Sequence, residues 1–300
     1  MAESHTDVGR GITLCHEGFG DPGAPPLLLV MGLGMQMIGW HDDFCRELAG
    51  RGFHVTRFDN RDTGHSTHFE FRPPSLAQMT TRRFRPEQYG LEDMADDAAG
   101  LIEALGLAPA HLVGASMGGM IAQTLAARQP DLVGSLTSIM SNTGSRLTGQ
   151  PALGILRHFL KRAPLDREAF IEHSANLFAL IGSEDADTDE IRELAARSFD
   201  RGTDPRGTGR QLGAILKSGN RAKLLRRIAA PTVVIHGRSD PLVRPSGGRA
   251  TAKSIPGAKL IEIDRMGHDL PRREWPRIIA AIADNAERSA AGSGDVATAA

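Results

Sequence analysis

The sequence predicts an α/β protein in which a mostly parallel central sheet is flanked by helices and interrupted by an inserted helical cap. Short apolar runs alternate with helical patterns up to about Met140, as expected for parallel strands joined by crossover helices. From Ser141 to about Leu225 only helical patterns continue, and the strand pattern then resumes. The C-terminal end, which contains Gly and Ser, predicts a disordered tail. The predicted core has two parts, residues 1–143 and 226–288. The cap is predicted at residues 144–225 and the tail at residues 289–300.

Apolar runs rich in Leu, Val and Ile predict strands that are buried on both faces of the sheet. The segment after the predicted strand His54–Asp59 is long and contains Pro73 and Pro74, so it predicts a long loop rather than a tight turn. The predicted strands are Leu27–Met31, His54–Asp59, His111–Gly114, Leu132–Met140, Thr232–Ile235 and Lys259–Ile263.

Helical periodicity fills the intervals between these runs. Trp40, Phe44 and Leu48 fall on one helical face, and Gly50 and Gly52 predict its end. Acidic residues crowd the start of the next helix, where the helix dipole favours negative charge. The predicted helices are Trp40–Leu48, Met94–Leu105, Met120–Ala127, Leu153–Leu160, Arg167–Ile181, Asp189–Phe199, Arg210–Leu216 and Trp275–Ile282.

The balance of charge argues against nucleic acid or a membrane surface as the main partner. The chain carries 35 basic and 36 acidic side chains, for a net charge of −1. Cys15 and Cys45 are the only cysteines, lack the spacing of metal ligands, and are expected to be reduced. The polar start of the chain is not a signal-peptide core, and no run has the length of a membrane span. We therefore expect a cytoplasmic protein; the oligomeric state is left open, with a homodimer among the alternatives.

The segment Gly114-Ala115-Ser116-Met117-Gly118-Gly119 lies directly after a predicted strand and before a predicted helix. A nucleophilic serine on a sharp strand-to-helix turn needs small residues two positions before and after it, and two glycines provide them. The alternative is a phosphate-binding loop, but a P-loop would require a lysine after the glycines and a dinucleotide-binding loop would require Gly-x-Gly-x-x-Gly. Neither pattern is present, so Ser116 is the predicted nucleophile.

A serine hydroxyl becomes a useful nucleophile when a neighbouring base takes its proton. His268 follows the last predicted strand, at the sheet edge where the strand C-termini gather, and Gly267 permits a tight turn there. Asp240 follows the preceding strand and can orient the imidazole. The rival position for this carboxylate, after the strand that ends near Met140, offers none. We therefore predict His268 as the base and Asp240 as its orienting acid.

Two backbone amides are candidates for an oxyanion hole. The turn after Ser116 aims the Met117 amide at a developing oxyanion, and the glycine-rich loop Gly32-Leu33-Gly34 is placed to supply the Leu33 amide. The segment Asp59–Ser66 matches no common metal pattern, so we interpret it as a structural network beside the site.

The apolar residues of the cap predict an inner face that packs on the core, and part of this face is expected to line a pocket for a hydrophobic small molecule. Neither a metal nor an organic cofactor is expected. The predicted substrate-binding residues are Gly32, Gly34, Trp40, Phe159 and Phe178.

With these motifs in order, the chain resembles the α/β-hydrolase superfamily over nearly its whole length. The run Leu28–Gly32, the pair Gly39-Trp40 and the segment Asp59–Gly64 are most similar to the aclacinomycin methylesterase-type branch. That resemblance implies an α/β-hydrolase fold and hydrolysis of a carboxylic methyl ester on an aromatic polyketide. Met31-Gly32 departs from the commoner His-Gly of the superfamily.

Several activities share this fold and triad, and the motifs alone do not separate them. The alternatives are a lactonase, a carbon–carbon bond hydrolase, a cofactor-free haloperoxidase and an acyltransferase. An alternative from another class is a receptor or carrier that keeps the fold and binds a ligand without turning it over.

Overall fold

The computed structural model describes residues 2–155 and 164–297, with side chains described up to residue 289. Eight strands form a single sheet in the order β1-β2-β4-β3-β5-β6-β7-β8. The strands are β1 Ser4–Asp7, β2 Thr13–Phe19, β3 Pro26–Val30, β4 His54–Phe58, β5 Ala110–Ala115, β6 Val133–Ile139, β7 Thr232–Gly237 and β8 Lys259–Ile263.

The six strands from β3 to β8 are all parallel where they pair, whereas β2 is antiparallel to both β1 and β4. The predicted mostly parallel sheet is therefore confirmed. Because parallel strands end at one edge, the loops after β3, β5, β7 and β8 meet at the same side of the molecule.

Helices cover both faces of the sheet, which gives two apolar cores. One core packs the helices Leu91–Ala104 and Met117–Arg128 against the sheet, and the other packs the helices Asp42–Gly50 and Trp275–Ala297. The helices of the α/β part are α1 Asp42–Gly50, α2 Leu76–Thr81, α3 Leu91–Ala104, α4 Met117–Arg128, α9 Ser246–Ser254 and α10 Trp275–Ala297.

Further helices lie between β6 and β7, where the sequence predicts an insertion. Short polar side chains fix where they begin: Asp166 accepts a hydrogen bond from the Ala169 amide, and Asp187 accepts from the amides of Asp189 and Glu190. The inserted helices are α5 Arg167–Ile181, α6 Thr188–Asp200, α7 Pro205–Ser218 and α8 Ala222–Leu225. Of the helix predicted at Leu153–Leu160, residues 153–155 are helical and the remainder lies outside the described residues.

The structure departs from the sequence prediction at both ends of the chain. Strands β1 and β2 were not predicted, because β2 buries Glu17, a residue that strands normally disfavour. The Glu17 carboxylate accepts a 2.6 Å hydrogen bond from Nε of Arg57, which offsets the burial. Helix α10 continues to Ala297, beyond Ser289, where the sequence predicts that a disordered tail begins. In the described part of the chain, no helix combines the length and apolarity needed to cross a membrane.

Candidate active site

Ser116 lies at the junction of β5 and α4 with a positive φ of 54° and a ψ of −117°. A serine rarely adopts this conformation, so the surrounding packing must hold it there. A Cβ on Gly114 would collide with the backbone of Gly118, and a Cβ on Gly118 would collide with the Val30 carbonyl oxygen. The glycines therefore allow the strand, the helix and β3 to approach closely enough to form the turn.

The three residues predicted to act together form a hydrogen-bonded chain with His268 in the middle. His268 Nε2 lies 3.0 Å from Ser116 Oγ, and His268 Nδ1 lies 2.7 Å from Asp240 Oδ2. The main chain of His268 is also fixed, since its amide donates a 2.7 Å bond to the Ile181 carbonyl at the end of α5. The arrangement can move a proton from the serine hydroxyl to an imidazole whose other nitrogen faces a carboxylate.

Asp240 is almost fully buried and remains ionised because it is well bonded. Its Oδ1 accepts bonds of 2.9 and 2.8 Å from the amides of Leu242 and Val243. Burial by itself raises its pKa, but the charge of His268 and hydrogen bonds from His236 and His268 outweigh burial and lower the pKa to about 2. The carboxylate is thus a permanent negative charge beside the imidazole at neutral pH.

His236 belongs to this environment and was not predicted. Its side chain is completely buried, with Nε2 2.6 Å from the Val243 carbonyl oxygen and 3.5 Å from Asp240 Oδ2. A Cβ on Gly248 would lie 2.5 Å from His236 Nδ1, so α9 packs directly on the ring. The sequence signal that could have identified His236 is its position four residues before Asp240, across a tight turn.

Of the two residues predicted to supply an oxyanion hole, Met117 directly follows Ser116, and Leu33 follows Gly32, which lies close to the serine. Met117 is the first residue of α4, and among the described residues its amide has no hydrogen-bond acceptor. The space between Gly32 and the serine is narrow, since a Cβ placed on Gly32 would lie 3.3 Å from Ser116 Cβ. Leu33 follows Gly32 on the loop after β3, and its amide likewise has no acceptor in the described part of the chain.

The segment Asp59–Ser66 forms a network of ion pairs beneath this loop. Asp59 accepts from the amides of Met37 at 2.6 Å and His65 at 3.0 Å, and Arg61 forms a two-point ion pair with Asp97. Two nearby groups of side chains have the spacing of metal ligands, Glu3 with Cys15 and His65, and Asp62 with His68 and Asp204. Each group already binds a guanidinium, from Arg201 and Arg210 respectively, so these clusters are ion-pair networks.

A cavity of about 780 Å³ lies between the strand ends and the inserted helices, and Ser116 and His268 are both in its wall. Gly32 and Phe178, two of the predicted substrate-binding residues, line it. Most of the wall is apolar, with methionines from the core and branched side chains from the inserted helices. Among the lining residues are Met31, Met35, Met120, Met140, Leu177, Ile181, Ile191, Leu194, Leu212 and Ile215.

Two of the predicted substrate-binding residues do not line this cavity, and a third lies outside the described residues. Trp40 is completely buried and stacks on Phe44, which lines the cavity in its place. Gly34 does not line the cavity, has a φ of +68°, and lies against Thr208 of α7, since a Cβ on Gly34 would lie 2.7 Å from Thr208 Oγ1. Phe159 lies outside the described residues. Trp40 had the signature of a core residue, since it shares a helical face with Phe44 and Leu48.

Comparison with known proteins places this site in a family. Residues 25–271 match the α/β hydrolase fold family. Rhodomycin D methylesterase DauP of Streptomyces sp. (strain C5) is 32% identical over 294 residues, covering 90% of this chain and 94% of that protein. Rhodomycin D methylesterase DnrP of Streptomyces peucetius is 30% identical over 295 residues, with the same coverage of 90% and 94%.

Solved structures at lower identity share the fold. The enol-lactonase from Burkholderia xenovorans LB400 is 22% identical, with a TM-score of 0.71 over 94% of this chain and 99% of that one. The 2-hydroxy-6-oxo-6-phenylhexa-2,4-dienoate hydrolase from Rhodococcus sp. strain RHA1 is 20% identical, with a TM-score of 0.74 over 95% and 98%. From the match over residues 25–271 and the methylesterase relatives, the chain belongs to the α/β-hydrolase fold family.

Proposed function

We propose that this chain is a serine carboxylic ester hydrolase that acts through Ser116, His268 and Asp240. The observation that carries the proposal is the continuous hydrogen-bonded relay from Ser116 Oγ through both nitrogens of His268 to Asp240 Oδ2. Ser116 and His268 line an apolar cavity, where a neutral ester can bind next to the serine oxygen.

The geometry supports a two-step reaction. Ser116 Oγ attacks the ester carbonyl carbon while His268 Nε2 takes the hydroxyl proton, and the Asp240 carboxylate stabilises the imidazolium that forms. The amides of Leu33 and Met117 stabilise the negative oxygen of the tetrahedral intermediate. His268 returns the proton to the departing alkoxide, which leaves as an alcohol. Water, activated by the same imidazole, then releases the acid and restores Ser116.

The substrate class follows from the cavity and from the relatives. We propose that residues 144–225 act as a cap over the site and that the preferred substrate is a methyl ester of a bulky, largely apolar molecule. A volume of about 780 Å³ is in the range of pockets that bury drug-sized ligands. The similarity to two rhodomycin D methylesterases over 90% of the chain supports the methyl ester as the bond cleaved.

The test is hydrolysis of a panel that contains methyl esters of small aliphatic and multi-ring aromatic acids, aryl esters of increasing acyl length, and lactones. We expect the multi-ring methyl esters to give the highest kcat/KM. Ser116→Ala should lower the rate at least about 10³-fold, because the nucleophile is lost.

Ser254→Ala is the matched control, because Ser254 lies on α9 and, within the described part of the chain, its hydroxyl donates only to the Ala250 carbonyl of the same helix. The proposal fails if wild type and Ser116→Ala hydrolyse the whole panel at the same rate. Faster turnover of lactones than of any methyl ester would replace the proposed substrate class while retaining the nucleophile.

A further inference from the structure

The loop that carries the Leu33 amide is attached to the inserted helices as well as to the core. On the core side, Asn60 Nδ2 donates a 2.9 Å hydrogen bond to the Met31 carbonyl, and the Met37 amide donates to Asp59. Between these two points, residues 32–36 contain two glycines and need further support to hold one conformation.

Gln211 of α7 supplies support at the centre of the loop. Its side chain is completely buried, and its Oε1 accepts a 2.8 Å hydrogen bond from the Gly34 amide. Its Nε2 donates to the Arg61 carbonyl at 2.8 Å and to Thr63 Oγ1 at 2.7 Å. One amide group therefore joins the loop, the Asp59–Ser66 segment and an inserted helix.

Gln36 supplies support at the far end of the same loop. Its Nε2 donates to the carbonyls of Ser198, at 2.8 Å, and Gly202, at 2.7 Å, where α6 ends. Its Oε1 accepts from Arg201, which also binds Asp59 Oδ2 at 2.9 Å. The side chain of Gln36 is only 5% exposed, so these bonds are shielded from water.

These hydrogen bonds lie on either side of Leu33 along the loop. Gly32, on one side, lies close to Ser116 with no room for a side chain between them, and the Gly34 amide, on the other, is bonded to Gln211. The peptide unit that follows Leu33 is thus held by the inserted helix, next to a tightly packed Gly32. Oxyanion stabilisation requires donors fixed before the charge develops, and a loop free to rotate about its glycines would not provide them.

We propose that Gln211 and Gln36 are positioning residues that let the inserted helices hold the Leu33 amide in its oxyanion-binding orientation. The inserted helices then have a part in the chemical step in addition to covering the substrate. This inference rests on the Ser116 ester hydrolase proposed above.

The test compares a methyl ester with its thionoester, in which sulfur replaces the carbonyl oxygen. Sulfur is a larger and weaker hydrogen-bond acceptor, so the ratio of the two kcat values reports how well the amides are aimed. We expect Gln211→Met to lower kcat for the oxygen ester at least about ten-fold, with KM within about two-fold and a much smaller loss for the thionoester.

Gln123→Met is the matched control. Gln123 is also completely buried and makes three side-chain bonds, to Ser138, Ser141 and Arg221, but none to the loop. Its loss should leave the preference for the oxygen ester at the wild-type value. If Gln211→Met does not fold, Gln36→Met tests the other support and should reduce the same preference.

The outcomes separate the two proposals. An oxygen-to-sulfur preference that is the same in wild type and in the folded Gln211 and Gln36 variants would overturn the positioning role. A wild-type rate that does not depend on Ser116 would overturn the proposed function itself, whatever the glutamine variants do.

Discussion

Ser116 is the residue at which local conformation and chemistry are most closely connected. Its positive φ is unfavourable for a serine, and the close approach of three backbone segments maintains it. The same turn sets the hydroxyl 3.0 Å from His268 Nε2. At Ser116, the constrained backbone therefore coincides with the position of the predicted nucleophile.

Asp240 provides a prediction at this scale. Asp240→Asn keeps the size of the side chain and removes the charge that stabilises the imidazolium and selects its tautomer. We expect kcat to fall on the order of 10³-fold or more with the fold intact. The measurement is kcat on the best ester, together with a circular dichroism spectrum to check the fold.

Asp264→Asn is the control for this substitution, because Asp264 is 77% exposed and, among the residues that the structure describes, pairs only with Arg238 on the surface. Activity of Asp240→Asn at the level of Asp264→Asn would mean that another group orients His268.

Because folding lowers the pKa of Asp240 from its usual 3.8 to about 2, its stabilising contribution is fully present well above pH 3.8. That contribution is lost progressively as the pH falls from about 4 to about 2.

Residues were predictable from the sequence where a rigid motif fixes their place. Ser116 follows from its glycines, and His268 and Asp240 follow from their positions after strands. Trp40 and Gly34, predicted as substrate-binding residues, do not line the cavity, because being near the site in sequence does not determine which way a side chain or a turn faces. Gln211 and Gln36 could not be identified, since their partners are far away along the chain and are mostly main-chain groups, which leave no sequence pattern.

At the scale of elements, the strand–turn–helix formed by β5, Ser116 and α4 depends on contact with β3. A Cβ at Gly118 would meet the Val30 carbonyl, which is backbone and cannot rotate away. The position must therefore remain glycine for β3, β5 and α4 to keep their spacing.

Gly118→Ala should destabilise the fold by about 2 kcal/mol or more, because it overpacks the junction of three elements. Gly50→Ala, at the end of α1, is the matched control, since a Cβ there meets nothing within 4 Å. Its stability should stay within about 0.5 kcal/mol of wild type or rise slightly. Urea unfolding measures both, and equal midpoints for the two variants would show that the predicted collision is relieved without cost.

Strands were predicted well where an apolar run in the sequence corresponds to burial on both faces of the sheet. The parallel strands read as apolar runs because both of their faces are covered. The antiparallel pair β1 and β2 was missed, because β2 buries a carboxylate whose partner, Arg57, lies on the neighbouring strand. The short helix α2 was also missed, since it lies inside a long excursion and buries no side chain.

At the scale of the whole molecule, the site is assembled from distant parts of the chain. The sheet brings Ser116, Asp240 and His268 to one edge, and the inserted helices complete the cavity and bind the loop that carries Leu33 at Gly34. The family fold and the order of the motifs could be anticipated from the sequence. The shape of the cavity could not, because it depends on how the inserted helices pack against the core.

The most direct measurement of the central claim is intact-mass analysis after treatment with a fluorophosphonate, followed by peptide mapping. Wild type should gain one adduct on Ser116, His268→Gln should react at least about 10²-fold more slowly, and Ser116→Ala should gain none. An adduct that forms equally fast in Ser116→Ala, or that maps to another residue in wild type, would contradict the assignment of Ser116 as the nucleophile.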